Sequence, residues 1–366
     1  MRIAQVSPLY ERVPPRYYGG TERIVSYLTE ELVEQGHEVT LFASGDSKTK
    51  GRLVAASEVG LRLNPETADY NPYHVLQLEQ VMQEAEAFDI IHFHTDYPHF
   101  PLSRRLQTAN VTTFHGRLDL PDLVPVFREF SDTPVISISN SQKEPLPWMN
   151  WQDTVYHGLP IDLYRQGNGD GGYLAFLGRI CPEKRLDRAI EIAKRTNIRL
   201  KVASKVDAAD QEYMDTNIRP LLDHPLIEFL GEIGHDEKQR LLSGASALLF
   251  PIDWCEPFGL VMIESMACGT PVIAYRAGSV PEVIDHGVTG FIVENIDESV
   301  EAVKNIQDLD RNRCRQVFEG RFSSARMAAD YLKTYRKLIA IKNNVNPQSD
   351  NGNGFISSES SPRRLS

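Results

Sequence analysis

Short runs of apolar, often β-branched residues alternate with stretches whose apolar positions recur every three to four residues, from Arg2 almost to Ile341. That alternation is the pattern of parallel strands joined by covering helices. Arg2–Val6 predicts a first strand, and Thr21–Gln35 a helix with Ile24, Val25, Leu28, Leu32 and Val33 on one stripe and Gly36 as its stop. Val39–Ala43, Ile90–Phe93, Val111–Thr113 and Val135–Ser137 predict further strands, with an acidic helix over Val75–Phe88. The polar, glycine-rich stretch Arg165–Gly172 has linker composition. Beyond it the alternation restarts, with strands at Tyr173–Leu177, Leu200–Ala203, Ile227–Phe229, Ala247–Phe250 and Pro271–Ala274 and helices at Leu186–Lys194, Asp236–Gly244 and Leu260–Ala267. The expectation is an α/β protein of two Rossmann-like, doubly wound units, 1–165 and 166–322, facing each other. A long amphipathic helix is expected over Met327–Ile341, followed by an Asn-, Ser-, Gly- and Pro-rich tail, 342–366, expected to be disordered.

A length of 366 residues suits two domains, and 41% hydrophobic with 24% charged residues is a soluble globular composition. The balance of 39 Lys and Arg against 50 Asp and Glu, a net charge of −11, argues against a nucleic-acid or anionic-membrane coat protein. Residues 1–165 are the more acidic part, with 14 basic against 22 acidic side chains. Cys181, Cys255, Cys268 and Cys314 show no C-x-x-C spacing, so they read as reduced thiols. With neither a signal-like leader nor 18 successive apolar residues, a cytoplasmic location and no transmembrane segment are expected.

Three constellations carry chemistry. Gly19-Gly20-Thr21-Glu22 lies after the first strand and opens the first helix, where backbone N–H groups can approach an anion; a tight turn with Thr21 as N-cap is the bland alternative. It is not G-x-G-x-x-G. Gly178-Arg179-Ile-Cys-Pro-Glu183-Lys184 follows the first strand of the second unit, and Arg179 with Lys184 would neutralise a diphosphate, Glu183 orienting Lys184 or starting the helix. The run Glu256-Pro-Phe258-Gly259-Leu260-Val261-Met-Ile-Glu264 places a carboxylate before a helix whose first turn can meet a phosphate, and a second inside the helix. A carboxylate accepts from vicinal hydroxyls, which suits a sugar or ribose; Glu264, among apolar neighbours, needs a partner. A glycosidase pair would also use two carboxylates, but hydrolysis does not require Arg179 and Lys184.

Together with Gly278-Ser-Val-Pro-Glu282-x7-Gly290, these motifs resemble, in order and over about residues 1–341, those of glycosyltransferase family 4, the "glycosyl transferases group 1". The resemblance implies the GT-B architecture, retaining chemistry and a last helix, 323–341, crossing back to an acceptor-binding first domain. It implies a nucleoside diphosphate sugar, with UDP as the family's commonest base, bound mainly by the second domain, a hydroxyl acceptor, and no cofactor or metal. By position, Arg179 and Lys184 would hold the diphosphate, Glu256 the sugar hydroxyls and Glu264 the ribose. Gly19, Gly20, Phe258, Gly259, Leu260 and Val261 would line the sugar and phosphates, His115 would sit near the transferred sugar, and Ile233 near the base. The chain departs from relatives at Val202-Ala-Ser-Lys205, in place of a glycine-rich loop, and at His157-Gly158, in place of Asn-Gly. A nucleotide-sugar isomerase or epimerase, turning over donor without acceptor, and a non-catalytic nucleotide-sugar sensor are the competing readings. His92, His94, Asp96 and His115 raise a metal hypothesis without a matching second ligand group, and Asp308-Leu-Asp310, the one D-x-D triplet, reads as a helix surface. Tyr10, Arg16, Tyr17 and Tyr18, on the Pro14-Pro15 loop, read as an acceptor cover or a packed surface loop.

Overall fold

A computed structural model describes residues 1–16 and 19–345; Tyr17, Tyr18 and the tail expected to be disordered beyond Val345 lie outside the described residues. The apolar runs form two sheets. The first comprises β1 (Arg2–Val6), β2 (Glu38–Ala43), β3 (Arg52–Ala55), β4 (Ile90–Phe93), β5 (Ala109–Thr113), β6 (Val135–Ser137) and β7 (Trp151–Thr154) in the order β3-β2-β1-β4-β5-β6-β7. The second comprises β8 (Tyr173–Arg179), β9 (Arg199–Lys205), β10 (Ile227–Gly231), β11 (Ala247–Phe250), β12 (Val272–Tyr275) and β13 (Gly290–Val293) in the order β10-β9-β8-β11-β12-β13. Every pairing is parallel. Helices cover both faces, so the central strands are buried along their length rather than at alternate positions: Ile3, Ala4, Gln5 and Val6 are all fully buried. This is the two-Rossmann, GT-B arrangement.

In each sheet the strand order reverses beside the first strand, at β1/β4 and at β8/β11. A crevice opens beyond the carboxyl ends of strands at such a reversal. Residues at or just past these four ends, Pro8, His94, Arg179 and Phe250 among them, line one shared cavity.

The stretch of linker composition is ordered by hydrogen bonds to the second sheet's helices. Gly167 N–H donates to the Cys268 carbonyl (3.0 Å), Gly169 to Ser243 (3.1 Å) and Gly171 to Gly244 (3.0 Å). The first helix runs Gly20–Glu34, with Gly19 rather than Thr21 at its N-cap and no side chain capping it. The acidic helix starts earlier than expected, at Asn71 with Pro72 in its first turn, and ends at Gln83 before a separate 3₁₀ turn over Ala85–Ala87. Asp310 caps the Arg311–Arg321 helix by accepting from the Asn312 N–H (2.8 Å), so it is a cap and not a helix surface.

The C-terminal helix spans Ser324–Val345, past its expected C-terminal end, so residues 342–345 belong to a helix and not to a disordered tail. The reason is docking on the first sheet: Lys342 donates to the Leu106 carbonyl (2.7 Å), and Ser324 to Glu31 (2.8 Å). Midway, the buried Tyr335 hydroxyl meets Gln5 and His92.

Candidate active site

The cavity between the two sheets encloses about 560 Å³ and is lined from both sides. The first unit contributes Gly19, Gly20, Glu22, Arg62, His94, Asp96, His115 and His157; the second Arg179, Lys184, Ile233, Lys238, Glu256, Glu264 and the whole run Phe258–Val261. All twelve residues singled out from the sequence meet here.

The Leu260–Ala267 helix begins at Gly259, whose φ of 74° breaks the chain direction, and no side chain caps it. The first amides are therefore left to a ligand, at the positive end of the helix dipole. Gly20, from the opposite unit, faces the same turn: a β-carbon there would stand 3.6 Å from Leu260 Cδ1.

Lys184 donates to Glu256 Oε2, which also accepts from Trp254 Nε1 (3.0 Å). The ammonium lies 5.2 Å from the Phe250 and Trp254 ring centres. Glu256, not Glu183, therefore orients Lys184. Arg179 Nη1 bonds Asp207 Oδ2 (3.0 Å), and Lys205 of the departing Val202–Lys205 segment pairs with the same carboxylate (3.2 Å).

Glu264 is buried and has the partners it requires: Lys238 Nζ (2.6 Å) and the Tyr164 hydroxyl (3.0 Å) donate to one oxygen. Burial by itself would raise its pKa, but Lys238 and Arg23 outweigh burial and hold it below the usual carboxylate range. Lys238 is lowered by burial, against the pull of Glu264.

The histidines form a proton-defined chain. Gln5 donates through Nε2 to Tyr335, so its Oε1 accepts from His94 Nε2 (2.8 Å). His94 Nδ1 must then accept, and His115 Nε2 donates to it (2.8 Å). His115 Nδ1 is left as a bare acceptor, buried and without a partner among the described residues. Burial lowers the pKa of His115 to about 3 and depresses His92, His94 and His157 well below the ordinary value, keeping the set neutral. His157 stacks on His115 (centroids 5.3 Å, 15°) and meets the Phe258 edge at 4.8 Å. His92 is bonded at both ring nitrogens, to Tyr335 (2.6 Å) and Thr113 (2.7 Å). Among the described residues no group of three or more His, Cys, Asp or Glu is placed to hold a metal ion.

Residues 165–319 match the family model of glycosyl transferases group 1, and residues 18–148 that of glycosyltransferase family 4. The chain is a GT-B glycosyltransferase related to these families. It is 24% identical over 365 residues to the N-acetyl-alpha-D-glucosaminyl L-malate synthase of Bacillus anthracis, covering 88% of this chain and 94% of that one. Its fold is similar to sucrose-phosphate synthase from Thermosynechococcus elongatus (TM-score 0.73, 19% identity, 93% and 100% of the two chains). It is also similar to Anabaena HepE in complex with UDP-glucose (TM-score 0.69, 17% identity, 92% and 100%).

Reading the glycosyltransferase's sequence alone missed Lys238, Tyr164 and Arg23 around Glu264, and His157 against His115. Lys238 lies on the His235–Gly244 helix and reaches Glu264 only through the packing of two helices. The cost of a lone buried carboxylate was the one available signal that such a cation must exist. Among the described residues no helix is long and apolar enough to cross a membrane.

Proposed function

We propose that this glycosyltransferase moves a hexosyl group from a UDP-sugar to a hydroxyl acceptor, with retention of configuration and without a metal ion. Residues 166–322 form the donor unit, 1–165 the acceptor unit, and 323–341 the segment, helical from Ser324, that returns to the acceptor unit. The observation that carries this reading is the meeting of Arg179, Lys184 and the uncapped Leu260 helix start in one cavity. Two cations and free amides suit a diphosphate, and they stand where negative charge develops as it leaves. That supply of positive charge supports the metal-independent reading. The UDP-glucose bound to HepE supports the choice of base. Four free cysteines suit the cytoplasm.

On binding, the diphosphate takes Lys184 and Arg179 from their present carboxylate partners, and Glu256, released, accepts from sugar hydroxyls. Glu264 receives the ribose hydroxyls with Lys238 keeping it ionised, Ile233 lies against the base, and Gly19 and Gly20 admit the phosphates closely. The bare Nδ1 of His115 accepts from a hydroxyl of the transferred sugar. The anomeric C–O bond to the diphosphate breaks, the acceptor oxygen bonds the same face of that carbon, and its proton passes to the leaving phosphate oxygen.

Calorimetric titration of UDP, GDP, ADP and their glucose or mannose conjugates tests the reading. UDP and one UDP-sugar are expected to bind without added metal. Lys184→Ala and Arg179→Ala should each weaken binding by roughly 10- to 100-fold, the worth of a charge-assisted hydrogen bond. Absence of binding by any of them, or unchanged affinity in both variants, overturns it.

A further inference from the structure

Asp96 stands two residues past His94, beyond the end of β4 where the first sheet's strand order reverses, and it lines the cavity. Its φ is 54°, in the left-handed region that aspartate enters more readily than most side chains. Its flanks are held in place. His94 N–H donates to the Val6 carbonyl (2.9 Å), and Phe100 N–H to that of Tyr97 (3.0 Å). The His99 ring stacks on Phe93 at 3.7 Å between centroids and is bonded at both nitrogens, to Ser103 and Thr112, each at 3.0 Å.

The segment is thus fixed on both sides of Asp96, whereas the carboxyl itself is not tied down by any described residue. Among the described residues it has no hydrogen-bond or ion-pair partner, whereas Glu256 and Glu264 across the cavity each face a lysine. Asp96 is exposed where it faces the open cavity, and the protein packed around it still pushes its pKa up to about 6 by desolvation. No cation counters the shift. Arg62, on the same wall, lies over the Tyr10 ring at 5.0 Å and acts on Glu11 and Glu22.

We propose that Asp96 selects the acceptor: its carboxyl receives hydroxyls of a neutral sugar or other uncharged polyol and turns away acceptors that present phosphate or carboxylate at that point. This rests on the transferase reading. A carboxylate offers two oxygens and about four lone-pair positions, which match a pair of vicinal hydroxyls. A phosphate in the same place meets like charge beside a carboxyl on which no described cation acts, Arg16 and Arg62 lining the cavity without countering it. The left-handed backbone sets the carboxyl at a fixed point on the acceptor wall, so the ligand supplies the missing donors.

The test uses the full chain and UDP-glucose, or whichever nucleotide sugar calorimetry selects, with release of the nucleoside diphosphate as readout. Glucose, maltose and myo-inositol are compared with glucose 6-phosphate and L-malate as acceptors. A neutral acceptor is expected to accelerate release and the charged ones not. Asp96→Asn should raise the KM of the best neutral acceptor roughly 10- to 100-fold and lessen the discrimination against glucose 6-phosphate, while the donor Kd stays within about twofold. Asp96→Gly, which suits a φ of 54°, removes the carboxyl without straining the backbone; it should show the same KM loss with an unlowered melting temperature. A charged acceptor preferred over its neutral counterpart, an unchanged acceptor KM in both variants, or no neutral acceptor used by an enzyme that binds donor each overturns the assignment. If no nucleotide sugar binds at all, it is the transferase reading that falls first.

Discussion

Glu22 is buried in the first turn of the Gly20–Glu34 helix, and burial pushes its pKa up to about 7 even though backbone amides and Arg62 draw it down. An unfolded glutamate titrates near 4.5, so between about pH 4.5 and 7 the native state holds the extra proton. Stability contributed by this group therefore falls as pH rises through that window. Glu22→Gln, which stays neutral, should exceed wild type at pH 8 by about 1–3 kcal/mol and match it near pH 4.5. Urea midpoints at the two pH values check this; a wild type as stable as the variant at pH 8 contradicts it. The buried histidines slope the opposite way, since His115, lowered to about 3 by burial, must gain a proton on unfolding as pH drops below the ordinary imidazole range. Both proteins carry those histidines, so their difference isolates Glu22.

At the scale of elements, local chemistry decides how much can be read in advance. Ile90–Phe93, Ala247–Phe250 and the Leu260–Ala267 helix are apolar enough to be legible alone, and they stand where the pattern puts them. Arg52–Ala55 and Trp151–Thr154 are edge strands with half-exposed, partly polar side chains, and their extended form comes from pairing with β2 and β6. The Arg311–Arg321 helix is polar nearly throughout; Arg311 and Arg315 pin it by donating to carbonyls of Gly167, Ala245, Tyr164 and Ala267. The site divides likewise: its cations and glycines lie in continuous motifs, whereas the lysine opposite Glu264 comes from a separate helix. Gly278 shows how closely such elements are fitted. Its φ is 54°, and a β-carbon there would fall 2.3 Å from Glu256 N and 2.4 Å from Glu256 O. Gly278→Ala must displace the backbone that presents Glu256, and strain plus clash should cost at least about 2 kcal/mol. Melting temperature and turnover should drop together, turnover roughly tenfold or more; unchanged values of both would show that the turn yields freely.

Across the whole molecule, two of the contacts between the units bear most directly on the cleft. The C-terminal helix reaches back to the first sheet through Tyr331 and Tyr335, whose hydroxyls meet Thr113 and His92. The second tie is a single carboxylate. Glu282, in the short helical turn Val280–Val283 of the second unit, accepts from the Asn140 and Ser141 amides (2.7 and 2.8 Å), Asn140 Nδ2 (2.9 Å) and the Tyr156 hydroxyl (2.9 Å) of the first. Its own carbonyl is held by Arg321. Each unit has a separate sheet, so nothing but such contacts fixes the width of the cleft, and a cleft that assembles catalytic groups from both sides depends on that width. Glu282→Ala removes four hydrogen bonds to one charged group and leaves both cores intact. We expect a larger radius of gyration without ligand by X-ray scattering, and turnover reduced roughly tenfold as the closed arrangement becomes less populated. Because Arg179 and Lys184, the cations proposed for the diphosphate, both lie in the second unit, donor affinity should fall less than in Lys184→Ala. An unchanged radius of gyration together with unchanged turnover would mean that the C-terminal helix and the remaining inter-unit contacts set the cleft without Glu282. A fall in donor affinity as large as that of Lys184→Ala would mean that the donor is gripped from both units at once.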